Sequence, residues 1–530
     1  MPSWSTPLSV LERMDLKSAL VTLLGVSIVM HLLNLFNMLR AKAYFPRMFP
    51  PFQPFGLPGV LLPTNSWFIG YQWHWVRRFQ TYTRNDTVEI VPLILGGSNL
   101  WTSNVDVARQ VAVGSHRSSW FKPREGSLAL SYWGSNIIAA DGQLWRKHRR
   151  IVGPAFSTDL YKLVWKQSQD NYNDMMQAEG WTGLESVDIP VIQNITIKFA
   201  LLIICNCGFG LPSTWAAPTT DDGGMSMQTA LQIVSVHHLS MIFLPKWFFY
   251  FPTKTFKQIR TARNLLVNFM QTQAAERKVD VTSGKPLQSD LFTKLVAANQ
   301  EEEGKYTLSD DELIGNIFAF MFAGHETTAH TLAAALGLIA LHQSTQDEVV
   351  QQIIDVIGCD RDPEYEDYNK LDKVLAIFYE AVRLYPAGHI MMREAAEDTI
   401  LQVPNPIGQG GFTAVPIKKG TKLNVDMIGM QYNPRHFEDP AEFRPSRWYG
   451  LPTDSEAFTA FSVGTRACIG RRFATIEATC FLAMLLRDWR VKPLLSEGET
   501  TSEWRKRVLD GHIALTLAAH DIPLTLERRR

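Results

Sequence analysis

The stretch FSVGTRACIG, residues 461–470, decides how the rest of the chain is read. Cys468 stands between Gly464 and Gly470 and two residues after Arg466, in a chain with five cysteines among 530 residues. The glycines allow left-handed or tight backbone and close approach to a bulky object. Arg466 offers a planar fork of donors suited to a carboxylate. A positive, backbone-rich setting favours a thiolate. Together these features describe a pocket for a flat, acid-bearing cofactor whose metal takes sulfur.

Outward from that loop, composition sets limits. Lys plus Arg and Asp plus Glu both total 52. This balance gives no electrostatic reason to expect nucleic acid as a partner. An odd number of cysteines spread over this length is no disulfide framework and suits a reducing compartment. Cys205, Cys207, Cys359 and Cys480 read as packing residues. The length allows one to three domains. There is no internal repeat and no low-complexity run.

The N-terminus differs from the rest. Residues 18–39, SALVTLLGVSIVMHLLNLFNML, contain no Asp, Glu, Lys or Arg. As a helix they would reach roughly 33 Å, against about 30 Å of bilayer hydrocarbon. His31, Asn34 and Asn37 weaken the stretch, and a cleaved signal peptide is the second reading. The apolar run is long, however, and no small-residue cleavage site follows. Arg40, Lys42 and Arg47 follow without a nearby acid, whereas Arg13 and Lys17 are mixed with Glu12 and Asp15. The positive-inside rule then puts the C-terminal side in the cytosol. The expected organisation is a lumenal segment (1–17), a transmembrane anchor helix (18–39), a proline-rich linker (40–60) and one catalytic domain (61–530). The prolines of the linker predict a stiff extended spacer.

Beyond the anchor the chain reads as mainly α with small β-sheets. Residues 86–97 predict a strand and hairpin, and helical spacing dominates to about Ile390. Residues 214–226 and 299–305 read as surface loops. From Arg393 onward come short strands and turns, then one helix from about Arg471 to Trp489. The longest helix begins at LSDDELIGN, where Ser309 and Glu312 form a capping box. It runs without proline to about His342 and is apolar nearly all round, so it should be buried.

In the middle of that helix sits AGHETT, residues 323–328. Burying Glu326 and Thr327 is costly unless they have partners or a task. Thr327 can bond back to the carbonyl of Ala323 and bend the helix. On this segment alone a satisfied polar kink and a functional pair are equally open. A zinc reading of HETTAH fails, because His325 and His330 are five apart rather than four. DGQLWRKHRR places Trp145 and Arg149 on one helical face, and YEAVRLYP does the same for Glu380 and Arg383. EFRPSRW supplies Arg447. Each of these, taken singly, reads as an ordinary surface pair.

Taken together and in this order, the motifs resemble those of the cytochrome P450 haem-thiolate monooxygenases, from roughly Arg47 to the C-terminus. The match at residues 461–470 is full: Phe461, Gly464, Arg466, Cys468 and Gly470 all stand in place. The resemblance implies haem b with Cys468 as axial thiolate and metal ligand. Arg466 would pair with a propionate, Trp145 and Arg149 would do so from the opposite side, and Arg393 is a further candidate. Ala323 and Gly324 would line the groove over the iron, with Thr327 and Glu326 delivering protons. Glu380, Arg383 and Arg447 would form a structural ion triad. Implied partners are a membrane, an NADPH-cytochrome P450 reductase, cytochrome b5 as an optional second donor, and a lipophilic substrate. The implied place is the endoplasmic reticulum membrane. The aromatic stretch MIFLPKWFFYFP (241–252), with Phe318 and Phe320, suggests the lipophilic substrate, and the style of the sequence suggests fungal terpenoid or other secondary metabolism. The alternatives are a haem-thiolate isomerase or dehydratase, and a haem-binding sensor or carrier.

Overall fold

The structure is a computed structural model. It describes residues 16–65, 67–112, 118–123, 131, 133–216, 225–283, 288–302, 306–452 and 455–529. Most of the expected lumenal segment (1–15) lies outside the described residues, as do parts of both expected loops (217–224 and 303–305).

The longer helices are α1 (Leu16–Arg40), α2 (Gly142–Ala155), α3 (Thr158–Ala178), α4 (Gln193–Ile203), α5 (Met227–Phe243) and α6 (Lys254–Thr282). They continue with α7 (Leu291–Glu301), α8 (Asp310–Ala340), α9 (Gln343–Ile357), α10 (Asp372–Leu384) and α11 (Arg471–Asp488). The strands are β1 (Arg47–Met48), β2 (Thr87–Ile90), β3 (Asn99–Thr102), β4 (Trp120–Phe121), β5 (Ser186–Ile189), β6 (Ile390–Ala395) and β7 (Thr399–Pro404). After them come β8 (Phe412–Ile417), β9 (Lys422–Asp426), β10 (Trp489–Pro493), β11 (Gly511–Ile513), β12 (Leu517–Ala519) and β13 (Leu524–Arg528). The principal sheet runs β1-β2-β3-β9-β6-β4, and β10-β13-β5, β11-β12 and β7-β8 form smaller ones. The mixed, helix-rich class expected from the sequence is the one observed.

α8 is the axle of the helical layer. Its start is fixed by the capping box: Ser309 Oγ accepts from Glu312 N at 3.3 Å, and Glu312 Oε2 accepts from Ser309 N at 2.8 Å. Asp310, Asp311 and Glu312 place negative charge against the positive helix end. From Leu313 onward most of its side chains are buried, packed by α4, α10, α6, α9 and α11. α11 in turn packs on α3 and α10. The loop ahead of α11 therefore enters the molecule between buried helices.

Several expectations change on contact with the structure. The proline-rich stretch is woven into the domain rather than held off it. β1 pairs in parallel with β2, Phe52 bridges to Leu95, and Phe55 stacks on Trp101 at 5.4 Å. Its prolines flank β1 rather than entering it, so they remove no ladder donor. The C-terminal third holds more than one helix, since Thr501–Val508 forms behind a second capping box, Thr500 with Glu503. Cys359 is exposed and is no packing residue, because it falls in the turn after α9; Cys205, Cys207 and Cys480 are buried as expected. Phe318 and Phe320 are buried core. Phe318 stacks on Trp133 at 4.1 Å and Phe320 meets Phe156 edge-on at 5.6 Å, so their packing is already spoken for.

α1 covers the stretch expected to anchor the chain. Among the described residues, however, no helix is long and apolar enough to cross a membrane. The structure gives the helix and not the span. α1 touches the domain through His31, whose Nε2 lies 3.0 Å from Leu93 O, and through Arg47, which donates to Leu39 O and Ala41 O.

Candidate functional site

The cysteine loop is closed by its own backbone. Cys468 N donates to Phe461 O at 2.9 Å, and Ala467 N donates to Gly464 O at 3.0 Å. Gly464 sits at φ +72°, a conformation that favours glycine, and Ser462 beside it is forced to φ +70°. Gly470 is different. Its φ is −83°, open to any residue, and a Cβ there would make only an ordinary contact, 3.9 Å from Cys468 Sγ.

Protein surrounds Cys468 densely, yet the residue keeps accessible surface, so it remains open to a ligand. Burial pushes its thiol pKa up. Backbone N–H groups of Gly470 and Arg471, and the charges of Arg471 and Arg149, push it down. Every one of those opposing groups favours a thiolate, and the loop leads straight into the N-terminus of α11, the positive end of its dipole.

The arginine of the same loop joins a cluster of cations drawn from distant parts of the chain. Arg466 donates to Ala140 O at 2.8 Å, pairs with Asp141, and lies over the Trp145 ring at 4.5 Å. Arg393 donates to Val111 O at 3.1 Å and Met392 O at 2.7 Å. Lys122 donates to Ile138 O at 2.7 Å. Burial, together with the nearby charges of Arg393 and Arg466, lowers the Lys122 ammonium to about 8. Burial, then Arg466, brings Arg393 down to about 10. Asp141 opposes both shifts. Arg149 is near enough to Cys468 to feel its charge and has no hydrogen-bond or ion-pair partner among the described residues. Mutually repelling buried cations with one carboxylate between them make a donor set suited to an acid-bearing group. The soft sulfur of Cys468 suits iron. The residues present fit haem. Lys122 was not legible as a member, because nothing in its local sequence marks it; only the fold brings it to Arg393 and Arg466.

α2, which carries Trp145 and Arg149, is pinned to α8. Lys147 Nζ donates to Glu312 Oε2 at 2.6 Å, and Asn316 Nδ2 lies 2.8 Å from His148 Nδ1. Burial pushes His148 down to about 4, so it is neutral at ordinary pH.

Behind the loop, Glu380 and Arg383 on α10 are fully buried and Arg447 reaches them. Arg383 binds Glu380 through two bonds, at 2.9 and 2.7 Å. It gives its remaining three donors to the carbonyls of Gln431, Pro440 and Glu442. Arg447 Nε meets Glu380 Oε1 at 3.3 Å. Two further donors, Arg444 N at 3.0 Å and Trp448 Nε1 at 2.7 Å, complete the carboxylate. The guanidinium thus uses all five N–H groups. Neither the Trp448 nor the Arg444 contact is visible in the motif spacing.

On α8, Thr327 Oγ1 donates to Ala323 O at 2.7 Å, Thr328 to Gly324 O at 2.9 Å, and Thr331 to Thr327 O at 2.8 Å. No hydrogen bond joins Glu326 to Thr327. Glu326 Oε1 instead accepts from Thr516 at 2.8 Å. Gly324 has a packing reason of its own: a Cβ there would come 2.7 Å from Cδ1 of Ile204, at the start of the π-helical turn Ile204–Gly208 that follows α4.

Residues 60–510 match the family Cytochrome P450. The chain belongs to the cytochrome P450 family. It is similar to "Cytochrome P450 monooxygenase 124" of Postia placenta, with 37% identity over 78% of this chain and 80% of the relative. It is also similar to "Cytochrome P450 monooxygenase prx9" of Penicillium rubens, at 25% over 80% and 79%. The "Phomenoic acid biosynthesis cluster cytochrome P450 monooxygenase" of Leptosphaeria maculans shares 25% over 78% and 77%. Members bind haem through an axial cysteine, and this P450 is a haem-thiolate monooxygenase by class.

Proposed function

We propose that this P450 oxidises a lipophilic small molecule at a membrane surface, using dioxygen and electrons from a separate NADPH-dependent flavoprotein reductase. The observation that carries the reading is Cys468. It is accessible at the head of α11, with Arg149 and Arg471 close enough to favour its thiolate, in a fold that also gathers Lys122, Arg393 and Arg466. Cys468 would hold haem iron, and Arg466, Arg393, Arg149, Trp145 and Lys122 would hold the acid groups. When bound there, haem supplies dioxygen activation and transfer of one oxygen atom to a C–H bond. The rest is the protein's: Cys468 donates electron density, the apolar face of α8 excludes water, and Thr327 with Glu326 carries protons inward. A hydroxyl and a carboxylate side by side in the interior of a largely buried helix support that role.

The substrate class rests on two supports. Trp247, Tyr250 and Phe251 form an exposed aromatic patch beside the buried Met241 and Phe249, suited to a lipid surface and the molecules dissolved in it. A relative is named for a biosynthetic cluster, which favours fungal secondary metabolism, with terpenoids within the range. The anchor reading rests on the uncharged stretch 18–39 and on α1 side chains that face outward, among them Val21, Met30, Leu33 and Phe36. The cationic Arg40, Lys42 and Arg47 favour a cytosolic catalytic domain at the endoplasmic reticulum.

The test is reconstitution with a P450 reductase, NADPH and a panel of candidate lipids, reading hydroxylated product by mass. Cys468→Ser should abolish product and the red-shifted Soret band of the reduced, carbon-monoxide-bound protein. A normal band in that variant would move the ligand elsewhere. Deleting residues 1–40 should release most of the protein from membranes with haem binding kept; a fully membrane-integral product would remove α1 as the anchor.

A further inference from the structure

Glu326 is held by a residue that no sequence motif marks. Thr516 lies in the turn between β11 and β12 and donates through Oγ1 to Glu326 Oε1 at 2.8 Å. The same oxygen stands 4.0 Å from Nε2 of His330, one helical turn further along α8. Glu326 Oε2 has no hydrogen-bond partner among the described residues.

The hairpin that carries Thr516 is fixed from several sides. Gln72 exchanges two hydrogen bonds with the backbone of Ile513, at 2.5 and 2.8 Å. Leu517 N donates to Ala387 O at 3.3 Å. Gly511 lies so close to Trp75 that a Cβ would come 2.6 Å from its ring. The hydroxyl is therefore presented to α8 from a rigid platform, which lowers the entropy cost of fixing the longer glutamate side chain. A hydroxyl has one donor, so it can hold one carboxylate oxygen and leave the other free to exchange a proton.

His330 is the neighbouring titratable group. Burial lowers its pKa, Glu326 raises it, and His512 from β11 and His325 from α8 lower it. His325 is tied to Met321 O at 2.7 Å, while His512 is exposed and stacks on His520 at 5.1 Å, with Asp510 and Asp521 close by.

We propose that Thr516 is a positioning residue for Glu326: the hairpin hydroxyl parks the carboxylate between itself and His330, so proton delivery along α8 depends on where the hairpin sits. This rests on the reading of Glu326 as a proton-delivery group. Without the hydroxyl, the carboxylate swings toward His330 and away from the position in which it serves.

The test uses the full-length, haem-loaded protein with reductase, in Thr516→Val, Thr516→Ala, Thr516→Ser and Glu326→Gln forms. Product formed per NADPH should fall roughly two- to tenfold in Thr516→Val and Thr516→Ala, the range one hydrogen bond carries, with peroxide making up the difference. Thr516→Ser should restore it. A second readout is independent of turnover: NMR titration of labelled histidines in the carbon-monoxide-bound protein, with His330 assigned through His330→Gln. A carboxylate closing on the imidazole raises its pKa, on the order of half a unit. The rise should be present in Thr516→Val and absent in Thr516→Ser, and Glu326→Gln should lower the value. A changed product ratio with His330 unmoved would make Thr516 a structural hairpin residue and overturn the proposal. An unchanged ratio in Thr516→Val beside a low ratio in Glu326→Gln would overturn it alone. A full ratio in Glu326→Gln would overturn the proton-delivery reading and the proposal with it.

Discussion

The two sides of this site are held in opposite ways. Around Glu380 the central pair is used up: Arg383 spends five donors, and the carboxylate takes bonds from Arg383, Arg447, Trp448 and the Arg444 backbone, with both Glu380 and Arg383 fully buried. Along residues 323–331 of α8 the threonine hydroxyls turn back on their own helix, and Glu326 leans on a single hydroxyl from a hairpin. A network with no spare donor or acceptor can only hold a shape. A carboxylate with a free oxygen can pass a proton. The contrast separates scaffold from chemistry more sharply than the motifs do, since both sides present acids and hydroxyls at helical spacing.

The comparison breaks most visibly at the closed side. Glu380→Ala or Arg383→Ala leaves a buried charge without its partner, at a cost of about 3–5 kcal/mol. Expected outcomes are a large drop in melting temperature and loss of haem from the expressed protein, with turnover per remaining haem little changed. Either variant folding with full haem content would contradict the scaffold role.

A smaller effect should appear where α2 meets α8. His148 titrates at about 4 in the folded chain because it is buried, against an ordinary value near 6.5. Between those values the unfolded chain takes up the proton first. Stability is therefore full above pH 6.5 and is lost as pH falls toward 4, by about 2 kcal/mol once partial solvent screening is allowed for. Melting temperature followed across that window should show the loss in the native protein and a shallower slope in His148→Gln. Equal slopes would take His148 out of the acid response.

Much of this was legible before the fold. The cysteine loop, the capping box at Ser309 and the Glu380–Arg383 spacing depend on contacts within a few residues, and those contacts form as the spacing implies. Lys122, Trp448 and Thr516 were not legible, because each acts on a partner at least 60 residues away and no local pattern records it. Gly470 shows the same limit in reverse. Its presence in the loop suggested an unusual backbone, and the structure gives it ordinary angles beside the sulfur. Phe318 and Phe320 were read as a sign of a lipophilic substrate because apolar side chains on a buried helix look alike whether they meet a ligand or another aromatic ring.

Thr327 tests the contrast between the two sides most directly. Its hydrogen bond to Ala323 O would serve a helix bend and a proton path equally well. The deciding measurement is product formed per NADPH, with peroxide measured alongside, in Thr327→Ala at matched haem content. Expected are a stability change of no more than about 1 kcal/mol, an unaltered carbon-monoxide spectrum, and a several-fold fall in product per NADPH with peroxide rising to match. An unchanged ratio in a folded, haem-loaded Thr327→Ala would contradict the proton path and leave the hydroxyl as helix geometry alone.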